Sequence, residues 1–239
     1  RPAPTRRARP AGPGAVMTPR SAMILAAGRG ERKRPLTDAT PKPLLKAGGR
    51  ALIEYHVEAL VAAGIRCLVI NHAHLGALIE RHLGAGDKWG ACIHYSPEGE
   101  PLETGGGIYR ALTLLKGPFL VVNADVWSDI DYASLRIADN DIAHLVLLEN
   151  PPHHPRGDFC LAGGRVSAAG DVPLTFSGVG IYRKQLFAGC GGGRFPLAPV
   201  LRDAIARGAV GGRRHEGAWM DIGTPERLNA LDRTLQLRR

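Results

Sequence analysis

The sequence has no apolar run approaching the ~20 residues that a helix needs to span a bilayer, so no membrane protein is expected. Cysteine is scarce. Cys67, Cys92, Cys160 and Cys190 are widely spaced and form no Cys-x-x-Cys pair. That pattern excludes a zinc ribbon or a disulfide framework and suits a reducing cytoplasm. Aromatic residues make up only 5% of the chain, and no basic stripe is interleaved with stacking side chains. Nucleic-acid binding is therefore not expected despite a net charge of +9. Acid is absent from residues 1–20, which hold five arginines, so only +4 of that charge belongs to the rest of the chain.

Residues 1–18 are rich in Arg, Pro and Ala without apolar periodicity, and read as a disordered extension. The chain opens on Arg1, so this stretch reads as a translated extension ahead of a start at Met17 or Met23. A secretory signal is the other reading, but the apolar segment 22–27 is too short and follows Pro13 and Pro19. Residues 19–239 are enough for one domain that buries roughly 70–75% of its unfolded surface. The composition, 44% hydrophobic and 22% charged, is ordinary for such a domain.

Against that background one stretch stands out. Residues 22–27 read as a buried strand, after which Gly28 and Gly30 open a loop followed by Arg32, Lys33 and Arg34. Lys42 then sits between Pro41 and Pro43. Glycines let backbone N–H groups curl around an anion, and the cations beyond can neutralise a polyphosphate. A dinucleotide fingerprint fails here, because Lys33 holds the third glycine position and the strand at 67–71 ends without an acid. A Walker A loop fails because no Gly-Lys-Ser/Thr is present. The implied ligand is a nucleoside triphosphate.

Helical periodicity at 51–63 puts Leu52, Tyr55, His56, Ala59, Leu60 and Ala63 on one stripe, closed by Gly64. Strands at 67–71, 91–96 and 119–124 alternate with helices at 75–83 and 104–115. Continuous apolar strands between helices predict an α/β fold with a parallel sheet covered on both faces. From about residue 143 the pattern loosens. Strands are expected at 144–149 and 174–182 with a polar segment 150–158 between them. Helices follow at 196–207 and 224–235, the last capped by Thr224 with Pro225 at its first position. The nucleotide-binding half is thus placed at about 22–142, and an acceptor-binding lid at 143–239.

Ligands of such sheets bind beyond the carboxyl ends of the strands. The loop 28–42, the turn-rich Pro-Glu-Gly-Glu-Pro-Leu-Glu-Thr-Gly-Gly-Gly at 97–107 and Asn123-Ala124-Asp125 all fall there. An acid closing an apolar strand also serves as a turn residue, and Asp221 ahead of a helix also serves as a cap. His72-x-His74 lacks a third ligand at metal spacing.

Gly28, Gly30, Arg32, Pro35, Leu36 and Thr37, with Pro41-Lys42-Pro43, match the signature G-x-G-x-R-(M/L)-x-P-L-T…P-K-P. On these residues the chain resembles the sugar-1-phosphate nucleotidyltransferases from about Met23 onward. The resemblance implies a Rossmann-like, mostly parallel sheet with a small α+β lid, of the GT-A-like kind. It implies that Ala27, Gly28, Gly30, Glu31, Arg32 and Lys42 hold the triphosphate. Arg32 would take the departing pyrophosphate, and Lys42 the charge on the α-phosphoryl group. Asp125, and Asp221 in Trp219-Met220-Asp221-Ile222-Gly223-Thr224, would bind Mg2+. Glu98, Thr104 and Gly105 would read the base.

Asn150-Pro-Pro-His-His-Pro-Arg-Gly-Asp158-Phe, Leu102-Glu-Thr-Gly-Gly-Gly107 and Thr175-Phe-Ser-Gly178 most resemble the small uridylyltransferases acting on N-acetylmuramate α-1-phosphate in peptidoglycan recycling. That implies UTP as donor, Asn123 and Asp158 as sugar contacts, and a cytoplasmic monomer or small homo-oligomer. Guanylyl transfer to mannose 1-phosphate and thymidylyl transfer to glucose 1-phosphate are the alternatives within the family. A non-catalytic nucleotide-sugar sensor is the alternative outside it. Three departures stand against the pattern: Lys33 where Met or Leu is usual, Glu103 where Gly is common, and no Glu-Lys-Pro after Asp158.

Overall fold

The computed structural model describes residues 15–33 and 35–237, with Arg32 described by its backbone alone. Residues 1–14 of the expected extension lie outside that range. Within it, Val16–Met17 pair with Ile137–Ala138, so the irregular stretch ends before residue 18. The backbone hydrogen bonds of this short ladder order two residues that show no periodicity of their own.

The first half of the chain follows the expected order closely. It runs β1 (Ser21–Leu25), α1 (Leu52–Ala62), β2 (Cys67–His72), α2 (Gly76–Leu83), β3 (Cys92–Pro97), α3 (Glu103–Ala111) and β4 (Phe119–Asn123). β1 lies between β2 and β4, and β3 lies outside β2, all four strands parallel. Side chains alternate across the pleat, and both faces are apolar. Ala22, Ile24, Leu68, Ile70, Leu120 and Val122 enter one core; Met23, Val69, Phe119 and Val121 enter the other. Each of the larger side chains, fully buried, contributes about 1.5–3 kcal/mol.

On α1 the inward face is Leu52, Ile53, His56, Val57 and Leu60, while Ala59 is exposed. The expected stripe is therefore rotated. The branched aliphatic Ile53 and Val57 gain more from burial than Tyr55 and Ala59 do. Thr224 accepts the N–H of Arg227 as the expected cap of the last helix, α5 below.

The second half departs from a parallel design. It holds β5 (Val126–Ser128), β6 (Ala143–Leu148), β7 (Phe159–Ala162), β8 (Arg165–Ser167), β9 (Pro173–Tyr182), α4 (Leu197–Ala206), β10 (Val210–Arg214), β11 (Trp219–Asp221) and α5 (Pro225–Gln236). The nine-stranded sheet has the order β6-β10-β8-β7-β9-β4-β1-β2-β3. β9 pairs antiparallel with both β4 and β6, so the sheet is mixed and continuous across the two halves. The hairpin β7–β8 turns on Gly163 and Gly164 with Ala162 opposite Arg165, a two-residue Gly-Gly signal legible in principle. No helix among the described residues is long and apolar enough to cross a membrane, and all four cysteines are free.

His56 is buried beneath the β4–β5 corner, with Nδ1 3.4 Å from the Tyr132 hydroxyl. Burial lowers its pKa from near 6.5 to about 4, against the opposing pull of the Val126 backbone and Asp125. Between these values the unfolded chain takes up a proton that the folded chain refuses, so stability falls as pH drops through this window. From pH 7 to pH 5 this one group accounts for about 2 kcal/mol. Urea unfolding at both pH values is expected to show that much less acid sensitivity in His56→Gln than in the parent. Equal acid sensitivity in the two proteins would remove His56 as the cause.

Candidate active site

Register sets the stage. Leu25 is level with Asn71 in β2 and Asn123 in β4, and Asn71 is level with Ser96 in β3. Four strand ends therefore stop together, and the loops beyond them enclose a cleft of about 990 Å3. Its walls include Ala27, Gly28, Gly30, Glu31 and Lys42 from the first loop, and Glu98 and Thr104 from the third. Asn123 and Asp125 come from the fourth. The Arg32 side chain lies outside the described structure.

The two glycines of the first loop differ. Gly30 has φ +68, and a Cβ there would lie 2.9 Å from Thr37 Cγ2 and 3.3 Å from Lys42 Cβ. Its carbonyl accepts the Thr37 hydroxyl at 2.9 Å and the Lys33 N–H at 2.8 Å. Backbone conformation and packing both require this glycine, which locks the loop onto Lys42. Gly28 has neither constraint: a Cβ there would meet nothing within 4 Å, and the residue lines the cleft. Its missing side chain leaves room for a ligand. Lys42 is 8% exposed, and its ammonium pairs with Asp125 Oδ2.

Asn71 is the hub of the adjoining wall. Its Oδ1 accepts the Ala26 N–H at 2.9 Å, and its Nδ2 donates to Glu98 Oε1 at 2.6 Å. Glu98 Oε2 accepts the Leu102 N–H at 2.8 Å. Glu98, expected to accept from a base, is 7% exposed with both oxygens engaged in holding the loop. Gly105, expected to offer its N–H to the base, lies under the Phe195 ring and does not line the cleft. Thr104 does line it.

Asp125 and Asp221 meet through a three-residue ladder. β5 and β11 pair antiparallel with Val126 opposite Asp221, and the Ile222 N–H donates to the Asp125 carbonyl at 2.8 Å. The Asp221 carboxylate accepts from Arg227 at 2.7 Å and lies 3.5 Å from His153 Nε2. It folds over Gly223, which lines the cleft and whose Cβ would sit 3.1 Å from Asp221 Oδ1. The ladder brings the two backbones to one corner, but Asp125 lines the cleft and Asp221 does not; carboxylates of this kind are the ligands a hard divalent cation takes alongside water and substrate phosphate. No cluster of three His, Cys, Asp or Glu that could cage a metal occurs among the described residues.

At the end of β4, Asn123 packs against Gly178, whose φ is +80 and whose Cβ would fall 2.8 Å from Asn123 Nδ2. Asp158 stands apart from the cleft wall. Its Oδ1 is 3.1 Å from His154 Nε2, and its Oδ2 accepts the Phe176 N–H at 2.8 Å. The polar segment 150–158 is folded by Asn150, which donates to the Pro155 and Pro173 carbonyls and accepts from Thr175.

The profile of the family described as nucleotidyl transferase matches residues 21–159, more than half of the chain. The chain belongs to the nucleotidyl transferase family. It is 52% identical to the N-acetylmuramate alpha-1-phosphate uridylyltransferase of Neisseria meningitidis, over 87% of this chain and 94% of that protein. It is 37% identical to the protein of the same name from Caulobacter vibrioides, over 91% and 97%. In fold it is similar to the inositol-1-phosphate CTP transferase of T. maritima, with TM-score 0.79, 18% identity, and 93% and 96% of the two chains covered.

Set against the nucleotidyl transferase motifs, Asn71, Glu103, Arg194 and Arg227 are among the cleft and corner residues to which the motifs assign no role. Asn71 had a signal, since it is a polar residue at the end of the apolar run of β2, as Asn123 is in β4. Arg194 had none, being one arginine after a glycine run. If Gly28 is open for a ligand, Gly28→Ala will fold with stability within about 0.5 kcal/mol of the parent. The same variant is expected to weaken triphosphate binding at least about tenfold in calorimetry, an order set by the loss of one charge-assisted contact. Undiminished binding would remove Gly28 from the cradle.

Proposed function

We propose that this chain transfers uridylyl from UTP to a sugar 1-phosphate, N-acetylmuramate α-1-phosphate, giving a UDP-sugar and pyrophosphate as a step of peptidoglycan recycling in the cytoplasm. The observation that carries the reading is the β5–β11 ladder, which joins Asp125 and Asp221 beside the Lys42 wall of the cleft. The likeness to the Neisseria protein over nearly the full length supports the choice of sugar and base.

The chemistry follows from charge. An acceptor phosphate oxygen attacks the α-phosphorus, the bond from that phosphorus to the bridging oxygen breaks, and pyrophosphate leaves. The attacking oxygen is already ionised, so no general base is needed. Two polyanions must be held together in a site of reduced dielectric, and neutralisation is the protein's main task. Asp125 and Asp221 would hold Mg2+, whose chemistry there would be to neutralise phosphate charge. Lys42, oriented by Asp125, neutralises the α-phosphoryl group. Arg32 receives the pyrophosphate. The Gly28–Gly30 turn offers N–H groups to the triphosphate, and Asn123 and Asp158 serve the sugar.

Guanylyl transfer to mannose 1-phosphate is the second reading. It is favoured by 31% identity to the Neurospora crassa mannose-1-phosphate guanyltransferase over 86% of this chain and 61% of that protein. Pyrophosphate release measured for UTP, GTP and dTTP against several sugar 1-phosphates separates the two, and preference for GTP with mannose 1-phosphate would replace the first reading by the second. Lys42→Ala is expected to lower kcat by about 10²–10³-fold with the fold retained, the order of a removed charge-stabilising donor. Chelation by EDTA should abolish pyrophosphate release and added Mg2+ restore it. Near-normal turnover in both Lys42→Ala and Arg32→Ala would overturn the mechanism.

A further inference from the structure

One wall of the cleft carries two side chains to which the proposed reaction gives no task. Glu103 and Arg194 come from opposite halves of the chain, and both line the cleft. Arg194 Nε donates to Glu103 Oε1 at 2.9 Å. Their side chains are 38% and 71% exposed, so a ligand can reach both.

The backbone that presents them is held on every side. Glu103 has φ +61, and Leu75 is the only other non-glycine residue with positive φ among those described. Strain of this kind persists only where the surroundings over-determine it, and it concentrates at binding sites. Here Leu102 donates its N–H to Glu98 at 2.8 Å, and its carbonyl accepts the Phe195 N–H at 3.1 Å. The Phe195 carbonyl accepts the Gly106 N–H at 3.0 Å. A Cβ at Gly105 would run into the Phe195 ring at 2.5 Å, and one at Gly106 into the Gly193 carbonyl. The strap that bears Arg194 is thereby stitched to the start of α3, and the ion pair is presented rather than left to chance.

Glu98 spends one hydrogen bond from each carboxylate oxygen on Asn71 and Leu102, whereas Glu103, alone among the acids of this wall, is exposed and held in place by a cation that also lines the cleft. We propose that Glu103 and Arg194 form the base-selecting pair of the cleft, Glu103 accepting a ring N–H and Arg194 donating to the neighbouring carbonyl. An acceptor beside a donor matches the imide edge of uracil. It also matches the N1–H and O6 edge of guanine. It opposes cytosine, whose unprotonated ring nitrogen would face the carboxylate lone pairs. The inference rests on the nucleotidyl-transfer reading and adds the residues that choose the base.

Calorimetric titration with UTP, GTP and CTP, without acceptor sugar, tests it on the full chain. The parent is expected to bind UTP more tightly than CTP. Glu103→Gln can donate to the cytosine ring nitrogen, so the UTP:CTP affinity ratio should fall at least about tenfold, the scale of one charge-assisted hydrogen bond. Glu103→Gly suits the backbone conformation and guards against misfolding of the first variant; it should lose the discrimination as well. Arg194→Gln should weaken UTP by about tenfold. An unchanged UTP:CTP ratio in both Glu103 variants would overturn the proposal. Selective nucleotide binding by a parent that releases no pyrophosphate would instead sink the transfer reading and leave base selection standing. Absence of binding by all three nucleotides would end both.

Discussion

Asn71 sits one residue before the end of β2, 2% exposed, and both ends of its amide are engaged. Oδ1 takes the N–H of Ala26, where β1 gives way to the glycine loop, and Nδ2 donates to Glu98, where β3 gives way to the next. Glu98 in turn fixes Leu102. The parallel register supplies this arrangement, because it sets Leu25, Asn71 and Ser96 at one level. A side chain at the middle strand end can then reach the loops on both sides. In a buried setting each of these bonds is costly to lose, since its partner would be left unsatisfied at about 1–3 kcal/mol. The cleft wall is therefore tied by buried hydrogen bonds to the core it grows from, as a site that works by positioning would require.

The second constraint is electrostatic. Each of the three aspartates proposed for the site has a cationic or imidazole neighbour: Lys42 for Asp125, Arg227 and His153 for Asp221, His154 for Asp158. Carboxylates arranged in this way keep their geometry without repelling one another. Arg227 shows how locally this is built. Thr224 and Pro225 start α5, which places Arg227 over Asp221 within one turn, and Leu228 and Leu231 anchor the helix in a cluster with Leu45, Leu52 and Ile222.

Legibility in the sequence followed the source of each constraint. The parallel strands and their helices could be read because burial on both faces writes a continuous apolar run, as in Phe119–Asn123. The last helix could be read because Thr-Pro is a local cap signal. β10 could not, since Val-Gly-Gly-Arg-Arg has neither alternation nor bulk. Its glycines answer to Asp141 and Val166, which press against the places where their Cβ atoms would be. β5 and β11 were equally opaque, being three residues each and formed only through their pairing with one another. Glu98 was legible by its position after a strand, but its burial and the two hydrogen bonds with which it also braces the loop are tertiary facts.

The triple glycine at 105–107 shows how far a motif underdetermines its own reason. A glycine-rich turn after a strand suggests backbone N–H groups offered to a ligand, and Gly28 fits that description. Gly105 makes way for Phe195, Gly106 for the Gly193 carbonyl, and Gly107 for Glu98 and Asn71, whose atoms would lie 2.5 and 2.8 Å from a Cβ. Three adjacent glycines thus serve three different contacts, all of them internal. Two residues before them, where positive φ makes glycine the natural choice, the chain has Glu103 instead. Glycine was used where packing demanded it and withheld where the backbone alone would have favoured it. The same few residues that close the wall against Phe195 hold a carboxylate at the cleft in a conformation it would not adopt unaided, and a side chain retained against that preference has its explanation in what the cleft contains.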